Sequence, residues 1–139
     1  RLLLSGSYLA SDLWESEASR EADRRFAREV LHYEYRKARA AQQGRLRPLS
    51  AQLPLPLMRF NQGEHPTLYR VESPDALRAV GEGAFPILAY TENALTAGVA
   101  YQGEEYRLVT LAFPFESLLE GSVRNQAMKA FLQFLDSNN

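Results

Sequence analysis

Arg1-Leu2-Leu3-Leu4-Ser5-Gly6-Ser7 is the stretch on which the reading of the fold turns. Three leucines in a row, closed by small turn residues, lack the polar alternation of a half-exposed strand. Such a run marks a strand buried on both faces, as in a parallel sheet. It is too short for a signal-peptide core, and no A-x-A-like cleavage site follows it. A strand of that kind needs neighbours on both sides. The expectation is therefore a single α/β domain over residues 1–139, the C-terminal part of a larger domain or protein that begins before a central strand.

Working outward, residues 19–33 carry a helical period. Ala22, Phe26, Val30 and Tyr33 recur as one apolar stripe, with Arg20, Arg24, Arg25, Arg28 and Glu29 on the other faces and Ser19 placed as N-cap. From Tyr33 to Arg47 the chain turns basic, with Arg36, Lys37, Arg39, Arg45 and Arg47 against Glu34 alone. Two readings stand for this segment: an anion or nucleic-acid contact strip, or an exposed hairpin turning at Gln43-Gly44, its edge guarded by charge. Pro48, Pro54 and Pro56 make the next stretch a loop or an extended edge. Strand signals follow at about 57–60, 67–71, 85–90, 96–101 and 106–113, the last two joined by the short turn Gln102-Gly103-Glu104-Glu105. Ser122 then caps a helix to about Leu135, with Val123, Ala127, Phe131, Phe134 and Leu135 facing inward.

A buried strand, a turn and a covering helix thus occur at both ends of the chain. That pattern predicts an open, mostly parallel sheet flanked by helices, flavodoxin-like or amidotransferase-like, with a more antiparallel middle section.

Composition removes several classes of activity. The chain is 45% hydrophobic, 24% charged and 11% aromatic, the profile of a globular domain. Sixteen Lys and Arg against 17 Asp and Glu give a net charge of -1, which argues against a nucleic-acid partner. No apolar run is long enough to span a membrane. Cysteine is absent, which removes disulfides, thiolate metal sites and a cysteine nucleophile together.

A strand ending at Ser5-Gly6-Ser7-Tyr8 invites comparison with a nucleophile elbow, which needs small residues two positions either side of the nucleophile. Around Ser7 those positions hold Ser5 and Leu9; around Ser5 they hold Leu3 and Ser7. Neither fits. A base would have to be His32 or His65, the only two histidines; His32 falls at the end of the first helix, where a cation suits the macrodipole. Asp12, Glu15 and Glu17 lie close together but lack the accompanying pattern of a zinc or calcium site, and read as acids in the first turns of a helical region. Gly81-Glu82-Gly83 lacks the third glycine and the helix start of a phosphate loop. No metal or cofactor is expected.

Two segments taken together resemble a known family. Leu2-Leu3-Leu4-Ser5-Gly6-Ser7-Tyr8 resembles the strand and turn that carry the catalytic cysteine of class I glutamine amidotransferase-like domains. Val109 to Glu116 resembles the later strand of that fold, which ends in a Phe-His-Pro-Glu type of sequence. The middle, Tyr69–Leu77 through Ala97–Tyr101, is similar to the C-terminal region of large secreted Bacteroidetes proteins labelled xanthan lyase-like or golvesin-domain proteins.

The departures from the family matter as much as the matches. Gly6 or Ser7 stands near the cysteine position, Pro114 or Phe115 stands for the histidine, and only Glu116 survives. Thiolate chemistry is therefore not carried over. Glu116 is expected to cap the turn into the last helix or to pair with an arginine. The resemblance implies a non-catalytic accessory or binding domain of an exported protein, secreted, periplasmic or on the cell surface. Its partners would be other domains of the same polypeptide, a carbohydrate or a protein. The alternative is a carbohydrate-active or hydrolytic enzyme whose site is completed by an N-terminal segment, using Ser7, Tyr8, Asp12 and Glu116.

Overall fold

The computed structural model describes residues 1–15, 17 and 19–137. In chain order the elements are β1 (Leu2–Ser5), α1 (Leu9–Trp14), α2 (Glu21–Glu29), β2 (Tyr33–Lys37), β3 (Arg45–Pro48) and β4 (Met58–Arg59). They continue with β5 (Ala76–Ala79), β6 (Ala84–Tyr90), β7 (Thr96–Gln102), β8 (Arg107–Leu111), a 3-10 turn (Phe115–Ser117) and α3 (Gly121–Asp136).

The strands form one sheet in the order β1-β8-β7-β6-β3-β4, with β5 branching from β7 and β2 pairing β5. Among the described residues only β1 and β8 are parallel. The β6–β7 and β7–β8 pairs are antiparallel hairpins; the first runs from Ala84↔Tyr101 with register shifts between Pro86 and Ala89, and the second runs in register from Gln102↔Arg107. The expectation of an open, mostly parallel, flavodoxin-like sheet is thus wrong: the sheet is mixed and strongly curled into a half-barrel, with only 25% helix. The reason lies in the connections. Parallel neighbours need crossovers of a dozen residues or more, whereas β6–β7 and β7–β8 are joined by tight turns.

β1 also differs from its expected place. It pairs only with β8 among the described residues and lies at the end of the sheet, with Leu2 46% exposed. The strand buried along its whole length is β8.

Two apolar clusters fill the two sides of the sheet. Under α3 lie Phe60, Ile87, Tyr90, Phe113 and Phe131, all fully buried. The rings of Phe60 and Phe113 stack at 5.4 Å, and Phe115 meets Phe131 edge-on at 6.1 Å. Beneath α1 and α2 lie Ala10, Ala27, Leu31, Tyr33, Val99 and Leu108. The inward face read for α3 is correct for Ala127, Phe131, Phe134 and Leu135.

The face read for α2 is not. Phe26 is 47% and Val30 42% exposed, and Ala27 is the buried residue of the helix. Two of its arginines turn instead toward Trp14: Arg24 donates to the Trp14 carbonyl at 3.0 Å, and the Arg28 guanidinium lies 5.0 Å from the Trp14 ring centre. Its cap is also not Ser19. The Asp23 carboxylate reaches back to the Arg20 N–H at 2.7 Å, while the Ser19 hydroxyl donates to the Asp12 carbonyl at 2.7 Å.

β2 and β3 do not form the hairpin expected between Arg36 and Arg47; β2 pairs β5, and β3 pairs β4 and β6. Nor is 67–71 a strand. Fully buried Asn61 holds that segment as a loop, donating to the carbonyls of His65 and Leu68 at 2.9 Å and accepting from the N–H groups of Gly63 and His65.

Candidate functional site

β1 leads into α1 through Gly6, Ser7 and Tyr8. Tyr8 takes a left-handed conformation (φ 62°, ψ 4°), which costs a non-glycine residue roughly 1–2 kcal/mol. The small-x-apex-x-small spacing is satisfied here, by Gly6 and Ala10 around Tyr8 rather than around either serine. The apex of the elbow is a phenol, 43% exposed.

Asp75 holds this turn. Its carboxylate Oδ2 accepts the N–H groups of Ala10 at 3.1 Å and Ser11 at 3.0 Å, two of the free donors at the start of α1. The residue is itself fixed from two sides: its N–H donates to the Ala112 carbonyl at 3.1 Å, and the Tyr90 hydroxyl donates to its carbonyl at 2.6 Å. Asp75 is fully buried, and its second carboxylate oxygen has no partner among the described residues. Burial raises its carboxyl above the ordinary value; the Ser11 and Ala10 N–H groups pull the other way and do not win. The Tyr33 hydroxyl is buried without a partner, and burial, then the Asp75 charge, push it well above the ordinary phenol value.

The elbow brings only some of the expected residues together. The Ser7 hydroxyl is turned inward, buried and unpartnered among the described residues. The Ser5 hydroxyl accepts the Phe115 N–H at 3.3 Å, which sets the turn bearing Glu116 beside the end of β1. Glu116 is exposed there and makes neither a hydrogen bond nor an ion pair among the described residues, so the expected cap or arginine partner is not found. Asp12 is exposed on α1, and its backbone N–H donates to the Tyr8 carbonyl at 2.9 Å.

No imidazole reaches the elbow. His32 stacks on Tyr101 at 3.6 Å and bonds the Tyr106 hydroxyl at 2.8 Å. Tyr101 pairs with Leu108, opposite Leu2, while the elbow follows Ser5, three residues and about 10 Å further along the strand. Burial lowers the pKa of His32, so the helix-end cation expected of it is the disfavoured form. The His65 ring bonds Thr67. Among the described residues, no three His, Asp or Glu side chains gather to hold a metal ion, and no helix is long and apolar enough to cross a membrane.

A second feature lies at the far end of the sheet. Arg45 and Arg59 are direct partners across β3 and β4. They border a cleft of about 370 Å³ that is lined also by Leu46, Leu57, Met58, Thr91, Glu120 and Val123. Sequence reading missed both this cleft and Asp75. Arg45 was visible only as part of a charge run, and Asp75 only as one residue of the segment Tyr69–Leu77, 65 residues from the amide it binds.

In comparisons with known proteins, no family model, no curated protein and no solved structure matches the chain, so nothing identifies a glutamine amidotransferase-like domain.

Proposed function

We propose that this chain is a non-catalytic accessory or binding domain. The observation that supports the reading is the chemistry of the elbow. A serine nucleophile needs a base within hydrogen-bond reach and an exposed oxygen. Ser7 has neither, since its hydroxyl is buried and both histidines are engaged elsewhere. The acid beneath the turn is committed to the start of α1. Placement in an exported multidomain protein belongs to the same proposal and rests on the resemblance of the middle of the chain, Tyr69–Leu77 through Ala97–Tyr101.

The test is an assay of the chain with glutamine, reading ammonia, and with p-nitrophenyl acetate. The expected rates equal buffer background, and Ser7→Ala leaves them there. Turnover that Ser7→Ala abolishes would overturn the reading. The alternative is a carbohydrate-active or hydrolytic enzyme completed from outside this chain; what supports it is the exposure of Tyr8 and Asp12 at the elbow and of Glu116 on the turn beside the end of β1. It predicts glycoside hydrolysis in a longer protein that Glu116→Gln removes while the fold persists.

A further inference from the structure

The geometry points to the cleft between β3, β4 and the start of α3 as a binding site for a monocarboxylate with an apolar body, an aryl-alkyl or medium-chain acyl acid. The inference rests on the binding-domain reading and names the ligand class that such a domain would take.

Like charges directly opposite on neighbouring strands are unfavourable, because the two side chains leave the same face a few ångströms apart. Arg45 and Arg59 are such a pair. Arg59 has only a long, exposed contact to Glu64 at 3.9 Å, and Arg45 has no ion pair among the described residues. An anion shared by both guanidiniums turns that repulsion into attraction, and a carboxylate matches their planar donor forks.

The wall beside them is apolar. Leu57, 73% exposed, and the half-buried Val123 supply its apolar surface, while Leu46 and Met58, on the other face of the strands from the arginines, are buried behind it. A cleft of about 370 Å³ with apolar walls and a few charged groups is in the size range of small-ligand sites. Two arginines against Glu120 leave one net positive charge, which selects a monoanion over a phosphate dianion. Guarding a sheet edge accounts for the arginines alone; it requires neither the hollow nor the exposed leucine beside them.

Calorimetric titration of the chain with sodium octanoate and sodium 4-phenylbutyrate tests the site, with octanamide, octylamine, sodium acetate and sodium phosphate as comparisons. Both carboxylates are expected to bind one per chain. Arg45→Gln and Arg59→Gln should each weaken binding about tenfold, the loss of one charge-assisted contact. Glu120→Gln should tighten it, and Arg47→Gln, on the same strand outside the cleft, should leave it unchanged. These exposed substitutions keep the core intact, and circular dichroism checks that each variant is folded.

Absence of carboxylate binding overturns the site. So does binding of octanamide as tight as octanoate, acetate or phosphate as tight as octanoate, or affinity indifferent to both arginines. Ser7-dependent turnover refutes the non-catalytic reading alone, without touching the result at this cleft.

Discussion

Removing the Asp75 carboxylate is expected to unlatch the β1–α1 turn. In Asp75→Ala the N–H groups of Ala10 and Ser11 lose their acceptor, and Ala10 is fully buried. A buried donor left unpaired costs roughly 1–3 kcal/mol. Against this, the variant no longer carries a buried charge, so the net loss should be about 2–3 kcal/mol, or roughly 6–12 °C in Tm for a domain of this size. Asp75→Asn keeps an oxygen for the same donors and should stay within about 1 kcal/mol of the parent at pH 7.

The two variants differ from the parent in pH dependence, with a definite sign. The carboxyl is raised in the folded state above its ordinary value of 3.8, so the folded protein holds this proton more tightly than the unfolded chain does. Its favourable contribution is complete below 3.8 and is lost as pH rises through the raised folded value. The parent should therefore gain stability relative to Asp75→Asn as pH falls through that window. Urea unfolding of parent, Asn and Ala chains between pH 7 and 4, with unchanged m-values, reads all three quantities. The reasoning is refuted if Ala stays within about 0.5 kcal/mol of the parent, if Asn is as damaging as Ala, or if the parent–Asn difference is flat with pH.

Other substitutions probe separate parts of the account. Gly83 has φ +82°, and a Cβ there would sit 2.5 Å from the Gln102 carbonyl oxygen; Gly83→Ala should cost about 2 kcal/mol or more in urea unfolding. Ser7→Ala removes a buried hydroxyl without a partner, so thermal unfolding should show no loss and a gain of up to about 1 kcal/mol. His32 is depressed below 6.5, mainly by burial, so its contribution is present above 6.5 and lost as pH falls below it. His32→Asn, which suits the left-handed backbone at φ 56°, should show a smaller drop in Tm between pH 7.5 and about 5 than the parent. An equal drop would place the titration elsewhere.

The elements legible in the sequence are those whose signal is local. The apolar runs at β1, β6 and β8, the turn Gln102–Glu105 and the stripe of α3 all declare themselves within a dozen residues. Strand partners do not. Periodicity reports which face of a strand is covered, never which strand lies alongside, so three leucines read as a central parallel strand occupy the end of a curled sheet. The α2 stripe misled because guanidinium groups also find partners on the covered side; Arg24 and Arg28 reach Trp14 while Phe26 faces outward. At 67–71 the β-branched and aromatic residues favour a strand, but the buried Asn61 amide already organises the segment. The elbow was sought at the serines because they are nucleophiles. The backbone places its apex one residue later, at Tyr8, in the left-handed conformation between Gly6 and Ala10. Asp75 was invisible because its role exists only once the middle of the chain lies against α1.

The position of β1 has a consequence for how these molecules meet in solution. One side of the strand is satisfied by β8; the other has no strand partner among the described residues and lies beside a leucine that is 46% uncovered. No lysine, proline or bulge interrupts Leu2-Leu3-Leu4, and the nearby Arg1 is drawn aside to Asp136 at 2.7 Å. Such an edge is a template on which a strand of another chain can pair through peptide groups common to every sequence.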